Sequence, residues 1–305
     1  MSVRLLVAVL LVQLVLGAGF VLAAVNGFPL IGGGDGPSAR NSAHAVPTPR
    51  LNRFFSGRAY GDVRAQVALG PRPAGSPASR RLGDRLRASL PNGRFEGVPG
   101  GLRNVVGHLP GSRPAVVIAS HYDTKDIPGF VGANDGAAGT AAVLELSRQF
   151  RAYRRRAGAP ELRFVLFDGE EVPAGAPEAE FYRHGLRGSK AYAARHRREI
   201  RALILLDFVG DRSLSLPREA GSNPTLWARL RAAAARAGVL HAFPTRPVGE
   251  ILDDHTPFRL AGIPAIDLID FTYPPFHTTG DTLDKISAAS LDVAGEAVFE
   301  MVRLL

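Results

Sequence analysis

The chain has 305 residues, of which 46% are hydrophobic, and this apolar content excludes a disordered protein. The formal net charge of +9 comes mostly from scattered arginines with no interleaved aromatic residues, which favours a solvated basic surface and no nucleic-acid partner. The sequence contains no cysteine, so disulfides and thiolate metal sites are excluded, and any metal must be held by His, Asp and Glu.

The first 25 residues have the pattern of a leader. Arg4 precedes an apolar run over residues 5–25 that is about long enough to span a bilayer. This run predicts either a cleaved signal peptide or a retained membrane anchor. In both cases the folded part of the protein is expected outside the cytoplasm, as a secreted, periplasmic or membrane-anchored domain. Residues 26–50, rich in Gly, Pro, Ser and Ala, predict a flexible linker, and residues 51–305 predict one domain.

Helical and strand patterns alternate through that domain, which predicts an α/β fold. Apolar spacing predicts helices at 58–69, 77–90, 140–150, 188–195, 224–238 and 288–305, with a further short helix that ends at Gly262. Short apolar runs predict strands at 104–109, 115–120, 162–167, 202–206 and 264–269.

An unusual group of acids follows the predicted strand at 162–167. This strand runs directly into Asp168, Glu170 and Glu171. In an open α/β sheet, ligands bind at the carboxyl ends of the strands. Adjacent carboxylates repel, so burial of both Glu170 and Glu171 requires a cation or a proton between them. For this pair alone, a solvated acidic turn is the alternative interpretation.

Other ligand-type side chains occupy equivalent places in the chain. His121 and Asp207 follow predicted strands, while Asp135 and His277 stand in loops that such a sheet places on the same side. Each has an ordinary structural explanation alone, since a carboxylate is favoured near a helix N-terminus and a buried histidine is usually hydrogen-bonded. Together with Glu171 they predict a zinc site of nitrogen and oxygen donors. The sequence lacks a Gly-rich phosphate loop and a Gly-x-Ser-x-Gly motif, which excludes nucleotide-binding and serine-hydrolase functions.

These motifs resemble the M28 zinc aminopeptidase superfamily. The stretches that carry the resemblance are His-Tyr-Asp at 121–123, Gly-Ala-Asn-Asp-Gly-Ala-Ala-Gly at 132–139, Phe-Asp-Gly-Glu-Glu at 167–171, Leu-Leu-Asp at 205–207 and His-Thr-Thr-Gly-Asp-Thr at 277–282. The resemblance covers roughly residues 55 to 305. It implies a single-domain three-layer α/β/α fold with a mixed, mostly parallel central sheet, of the zinc-exopeptidase and phosphorylase/hydrolase-like type.

Within this superfamily the chain more closely resembles the glutaminyl-peptide cyclotransferase branch. A long insertion over residues 172–187 follows Glu171, and we expect it to fold over the site. Asp-Asp-His stands at 253–255, where aminopeptidases more often carry Ser-Asp-His, and Leu-Leu-Asp-Phe-Val-Gly at 205–210 also fits the cyclotransferases. The chain departs from this branch at Phe276, where cyclotransferases usually carry Trp, and in its insertion, which lacks the Trp of the animal enzymes.

The resemblance implies the metal ligands and the catalytic acid/base. Asp135, Glu171 and His277 are the expected ligands of one zinc ion. Glu170 is the expected general acid/base.

Further roles are implied for the residues around this centre. Asp207 and Asp253 are expected to form a hydrogen-bond network that helps to transfer protons. His121 and Asp207 are the candidates for a second metal, with Asp135 bridging, if the centre is dinuclear as in the aminopeptidases. The substrate pocket is expected to include Phe276, Asp254 and His255.

Two activities follow from the resemblance. The first is cyclisation of an N-terminal Gln of peptides or proteins to pyroglutamate with release of ammonia. The alternative is a zinc aminopeptidase that hydrolyses the first peptide bond. A non-catalytic ectodomain that uses the fold only for binding is disfavoured, because such relatives typically lose ligands, whereas all of these ligands and Glu170 are present here.

Overall fold

The structure is a computed structural model, and it describes residues 46–305, which belong to one compact unit. The predicted leader and most of the predicted linker lie outside the described residues. Arg50, at the end of that linker, donates its backbone N–H to the carbonyl oxygen of Ala237 at 2.8 Å. No helix within residues 46–305 has the length and apolar character that crossing a membrane requires.

Within this range the strands form one sheet. They are β1 (Arg94–Val98), β2 (Leu102–Leu109), β3 (Ser112–His121), β4 (Pro160–Phe167), β5 (Ile200–Asp207) and β6 (Ala265–Ile269). The helices are α1 (Ser56–Val67), α2 (Pro77–Ser89), α3 (Ala137–Ala152), α4 (Phe181–His184), α5 (Arg187–His196), α6 (Pro224–Ala237), α7 (Thr256–Leu260) and α8 (Ala288–Val302).

The sheet is mixed and mostly parallel, as predicted. Its spatial order is β1-β2-β4-β3-β5-β6, in which β4, β3, β5 and β6 run parallel and β2 pairs antiparallel with both β1 and β4. In this register His121 pairs with Phe167, and Asp207 pairs with Ile269. The carboxyl ends of the parallel strands therefore meet at one edge, and the segments that follow them are brought together there.

Helices cover both faces of the sheet. Side chains of alternate strand residues, such as Ile118 and Phe164, pack with α1, α2, α3, α6 and α8 on one face. Their neighbours Val117 and Val165 pack with α5 and α7 on the other face. Because successive strand residues point to opposite faces and both faces are covered, β4 is buried along its whole length, and its second half, Phe164–Phe167, is apolar on both sides. The predicted three-layer α/β/α arrangement is confirmed.

Strand β1 was not predicted, and its sequence explains why. Its residues are Arg-Phe-Glu-Gly-Val, and only Val98 of the five is buried. An edge strand that pairs on one side has neither a continuous apolar run nor a clean alternation. Pairing with β2, rather than local preference, therefore defines this strand.

Helix α3 packs unusually close to the sheet at Gly139. A Cβ atom at this position would lie 2.2 Å from the carbonyl oxygen of Leu206 and 2.4 Å from Oγ of Ser120. We expect Gly139→Ala to lower the free energy of unfolding by about 1–3 kcal/mol, because backbone must move to admit the methyl group. Urea denaturation measures this change.

Gly61 provides the matched control in the interior of α1. A Cβ atom there meets nothing within 4 Å, so Gly61→Ala should raise the free energy of unfolding by about 0.5–1 kcal/mol through helix propensity. Equal midpoints of urea denaturation for Gly139→Ala and Gly61→Ala would contradict the close packing of α3 against the sheet.

Candidate active site

The acid pair after β4 is held by its own backbone. Gly169 turns the chain with φ +79°, and the backbone N–H groups of Glu170 and Glu171 then donate to the two carboxylate oxygens of Asp123, each at 3.2 Å. Asp123 follows β3 and is fully buried. Since the backbone makes these bonds, both glutamate side chains are free to point toward the edge of the sheet.

Asp135 is positioned in the same way, just before α3. The carboxylate of Asp281 accepts the backbone N–H groups of Asn134 at 2.8 Å and Asp135 at 3.0 Å, and it also accepts the Tyr273 hydroxyl at 2.7 Å. Gly136 follows with φ +84°, a conformation that glycine adopts without strain. The loop therefore presents the Asp135 side chain without using its oxygens for local hydrogen bonds.

Two groups of ligand-type side chains meet at Asp135. On one side, His277 Nε2 lies 3.4 Å from Asp135 Oδ2 and 3.4 Å from Glu171 Oε1. On the other side, His121 Nε2 lies 3.3 Å from Asp135 Oδ1 and 3.5 Å from Asp207 Oδ1. We call these the His277 cluster and the His121 cluster, and each oxygen of Asp135 faces one of them.

The His277 cluster fits a bound metal ion. Asp135 Oδ2 and Glu171 Oε1 are buried and accept no hydrogen bond from any described residue. A tetrahedral site with metal–ligand bonds of about 2.0–2.1 Å has ligand–ligand edges of about 3.3–3.4 Å, longer than a good hydrogen bond. The separations of 3.4 Å agree with such edges. A set of imidazole and carboxylate donors suits zinc and similar divalent ions.

Glu170 belongs to neither cluster, although it is the neighbour of Glu171. It is buried and lines the cavity described below. Burial, followed by the charge of Glu171, raises the pKa of Glu170 well above its ordinary value. Burial also raises the pKa of Glu171, but the polar contact with His277 and its charge, with the charge of Lys125, outweigh burial and lower that pKa. Adjacent carboxyl groups with opposite shifts are typical of sites that assign them different roles.

A cavity of about 540 Å³ opens above the two clusters. Its lining combines carboxylates with apolar rings, and His277 is the only basic side chain that it includes among the described residues. The ring of Phe276 stacks on that of His277, with centroids 3.8 Å apart and an interplanar angle of 19°. Glu178 and Phe181 of the insertion also line the cavity, so the insertion forms one of its walls, as expected.

The predicted pocket roles of Asp254 and His255 are wrong. Both side chains have no exposed surface and do not line the cavity. They directly precede α7, which turns them inward, and the His255 ring lies between Glu219 Oε1 at 3.3 Å and Asp267 Oδ2 at 3.5 Å. Of the predicted pocket residues, only Phe276 lines the cavity.

Asp253 also differs from expectation. It lines the cavity, but within residues 46–305 no hydrogen bond joins it to Asp207 or Glu170. It instead forms a buried group with His255 and Asp267. Burial, followed by the charge of Asp207, raises the pKa of Asp253 to about 6. The start of α7 directs the Asp253 side chain toward β6. Asp253 therefore affects Glu170 through its charge and not through a hydrogen bond.

Several residues of the site were not found by sequence reasoning. Asp123 lies within the His-Tyr-Asp stretch, but its role depends on the turn after β4. Lys125 pairs with Glu171, and nothing in the local sequence signals this contact. Phe208 and Phe271 complete the aromatic wall beside Phe276, and both come from loops without a periodic pattern.

The fold and the site together define a class of protein. A mixed α/β/α domain that assembles His, Asp and Glu at the carboxyl edge of its sheet has the architecture of the metal-dependent exopeptidases. Residues 104–302 match peptidase family M28, which is more than half of the chain. The chain belongs to this family.

The proteins similar to this chain include some named for each of the two activities considered above. A glutaminyl-peptide cyclotransferase-like protein of Mus musculus is 30% identical over 227 residues, which is 65% of this chain and 58% of the mouse protein. The crystal structure of an Acidobacteriales bacterium glutaminyl cyclase matches with a TM-score of 0.70 and 32% identity, covering 83% of this chain and 95% of that one. A leucine aminopeptidase precursor from Bacteroides thetaiotaomicron matches with a TM-score of 0.74 and 26% identity, covering 84% and 99%.

Proposed function

We propose that this chain is a zinc-dependent glutaminyl-peptide cyclotransferase that acts on peptide or protein N-termini. The observation that carries the proposal is the position of Glu170. It is a buried, non-ligating carboxyl group that faces the cavity beside a metal-compatible cluster. The similarity to a glutaminyl cyclase over nearly the whole of that structure supports this choice among the M28 activities.

In this proposal Asp135, Glu171 and His277 hold one zinc ion. The chemistry that zinc supplies is Lewis-acid polarisation of a carbonyl oxygen, here that of the substrate γ-carboxamide. Asp281 and Asp123 keep the two carboxylate ligands in place through the backbone bonds described above. Such outer partners orient metal ligands and contribute to affinity.

Glu170 transfers the proton of the reaction. The substrate α-amine attacks the γ-carboxamide carbon, so the new C–N bond closes a five-membered ring while the bond to the amide nitrogen breaks. Glu170 accepts a proton from the attacking amine and donates it to the leaving nitrogen, which departs as ammonia. One carboxyl group can serve both steps when its pKa is raised toward the working pH, as burial and Glu171 do here.

The cavity suits an uncharged side chain beside a free amino group. Its carboxylates attract the positively charged N-terminus of a peptide before the amine loses its proton. They would repel an acidic side chain at the first position of the peptide. The rings of Phe208, Phe271 and Phe276 form an apolar wall that the methylene groups of glutamine can contact.

A zinc aminopeptidase is the second candidate, and one observation favours it. Each oxygen of Asp135 faces a different histidine cluster, which is the arrangement of a bridging carboxylate between two metals. In that case His121 and Asp207 would hold a second zinc, and Glu170 would activate water against the first peptide bond.

Two matched peptides test the proposal. The full chain, loaded with zinc, is incubated with peptides that differ only in Gln or Leu at the first position. We expect ammonia from the Gln peptide, no free leucine from the Leu peptide, and one tightly bound zinc per chain. Free leucine together with two tightly bound zinc ions would favour the aminopeptidase instead.

Asp253 is expected to affect turnover without holding metal. Its charge contributes to the raised pKa of Glu170, so Asp253→Asn should lower turnover by about 10-fold while the zinc content stays near one. Glu250→Gln is the control, because Glu250 lines the same cavity but is half exposed and pairs with Arg259. Loss of zinc in the Asn variant would place Asp253 among the ligands and contradict this role.

We also propose that residues 1–25 direct the domain out of the cytoplasm, as a cleaved signal or a retained anchor. Arg4 followed by the long apolar run supports this proposal. N-terminal sequencing of the protein from isolated membrane, extracytoplasmic and cytoplasmic fractions tests it. An intact N-terminus found only in the cytoplasmic fraction would contradict it.

A further inference from the structure

A lysine lies next to the proposed metal ligands. Lys125 stands in the loop after β3, and only 8% of its surface is exposed. Its Nζ atom lies 3.1 Å from Glu171 Oε2 and 2.7 Å from Glu178 Oε1. Within residues 46–305, no other lysine or arginine forms an ion pair with a member of the His277 or His121 cluster.

Lys125 distinguishes the two oxygens of Glu171. Oε1 faces His277 and has no hydrogen-bond donor, whereas Oε2 accepts a buried hydrogen bond from Lys125. This hydrogen bond orients the carboxylate so that Oε1, and not Oε2, faces the proposed metal position. A free carboxylate could rotate and offer both, which would raise the coordination number of the metal.

The same ammonium group also contacts the insertion. Glu178 belongs to a single helical turn of the insertion, Glu178–Glu180, and lines the cavity together with Phe181. Glu178 itself is largely exposed, with 59% of its side-chain surface accessible, so little else fixes its position. Lys125 is thus a direct link between the cavity wall and the ligand Glu171.

We propose that Lys125 is a positioning residue with two functions. It restricts Glu171 to coordination of the metal through Oε1 alone, and it fastens the insertion over the cavity through Glu178. The first function rests on the proposed metal site, whereas the second depends only on the ion pair with the insertion. Neither function depends on which reaction the site performs.

Cobalt substitution tests the first function in the full chain. Four-coordinate cobalt absorbs visible light more strongly than five-coordinate cobalt, so the spectrum reports the coordination number. In Lys125→Met, which keeps the length of the side chain, Oε2 of Glu171 becomes free, and we expect a loss of visible absorption at full cobalt occupancy. Glu178→Gln retains the bond between Lys125 and Glu171, and it should keep the wild-type spectrum.

Hydrogen exchange of the insertion tests the second function. Both Lys125→Met and Glu178→Gln should accelerate amide exchange in residues 172–187 by roughly 2- to 5-fold. Glu180→Gln is the matched control on the same turn, since Glu180 pairs with Arg183 and His184 and not with Lys125. This variant should change neither the cobalt spectrum nor the amide exchange of the insertion.

The outcomes separate the two functions from the proposed metal site. A wild-type cobalt spectrum in Lys125→Met would overturn the first function, and unchanged exchange in Glu178→Gln would overturn the second. Since Glu178 is exposed, that variant tests the link even if Lys125→Met fails to fold. If the wild-type chain binds no cobalt, the metal site itself is contradicted and the first function with it, while exchange in metal-free protein still decides the second.

Discussion

Replacing Glu170 with glutamine is expected to lower turnover by on the order of 100-fold or more while the metal content stays at the wild-type value. The amide preserves the shape of the buried side chain but cannot accept a proton from the substrate amine. Glu170 is absent from both metal-compatible clusters, so its replacement removes no ligand. Steady-state kinetics and metal analysis on the same preparation measure the two quantities.

The neighbouring residue provides the contrast for this experiment. Glu171→Gln also removes one carboxylate from the turn after β4. Because Oε1 of Glu171 belongs to the His277 cluster, this variant should lose metal as well as turnover. If Glu170→Gln keeps turnover near wild type, or if it loses metal as Glu171→Gln does, then Glu170 is not the proton-transfer group.

Replacing His277 with alanine is expected to abolish tight metal binding and activity together. Its Nε2 atom is the only nitrogen donor of the His277 cluster, and the two carboxylates left behind would repel each other. Metal retained after dialysis, and activity after zinc is added back, measure the effect. We expect bound zinc to fall below one tenth of an equivalent, as an order of magnitude, with no recovery at micromolar zinc.

His108 supplies a control for this substitution. It is a strand histidine that pairs in register with Arg163, toward the other end of the sheet from the carboxyl ends of the parallel strands. His108→Ala should therefore keep both zinc and turnover. Full zinc occupancy in His277→Ala would show that His277 is not a zinc ligand. The proposed site would then consist of Asp135 and Glu171 with no nitrogen donor, which would contradict it.

The central part of this site could be predicted from sequence because parallel strands impose a simple geometry. Once β3, β4 and β5 are recognised as buried strands of one sheet, the side chains after each of them must emerge at one edge. That reasoning brings His121, Glu171 and Asp207 together without any knowledge of loop conformation. For the loop residues Asp135 and His277 the same reasoning gave only the side of the sheet. Their assignment as ligands of one zinc with Glu171 came from the resemblance to a known family, since their distance from the edge depends on backbone turns.

The rest depended on contacts that local sequence does not encode. The direction in which α7 leaves its loop decides whether Asp254 and His255 face the cavity or the interior. In the interior, the His255 ring lies between the buried acids Glu219 and Asp267. Likewise, Lys125 meets the insertion only because the chain between them returns to the same edge. Side-chain direction in loops is fixed by tertiary packing, not by periodicity.

The central claim is that the chain cyclises N-terminal glutamine, and the mass of one product tests it most directly. A peptide that begins with Gln is incubated with the zinc-loaded full chain and then analysed by mass spectrometry, with Glu170→Gln as the blank. We predict a product that keeps every residue of the peptide and is lighter by the mass of one ammonia, formed only by the wild-type chain. A peptide shortened by one residue, accompanied by free glutamine, would contradict the account and identify the chain as an aminopeptidase.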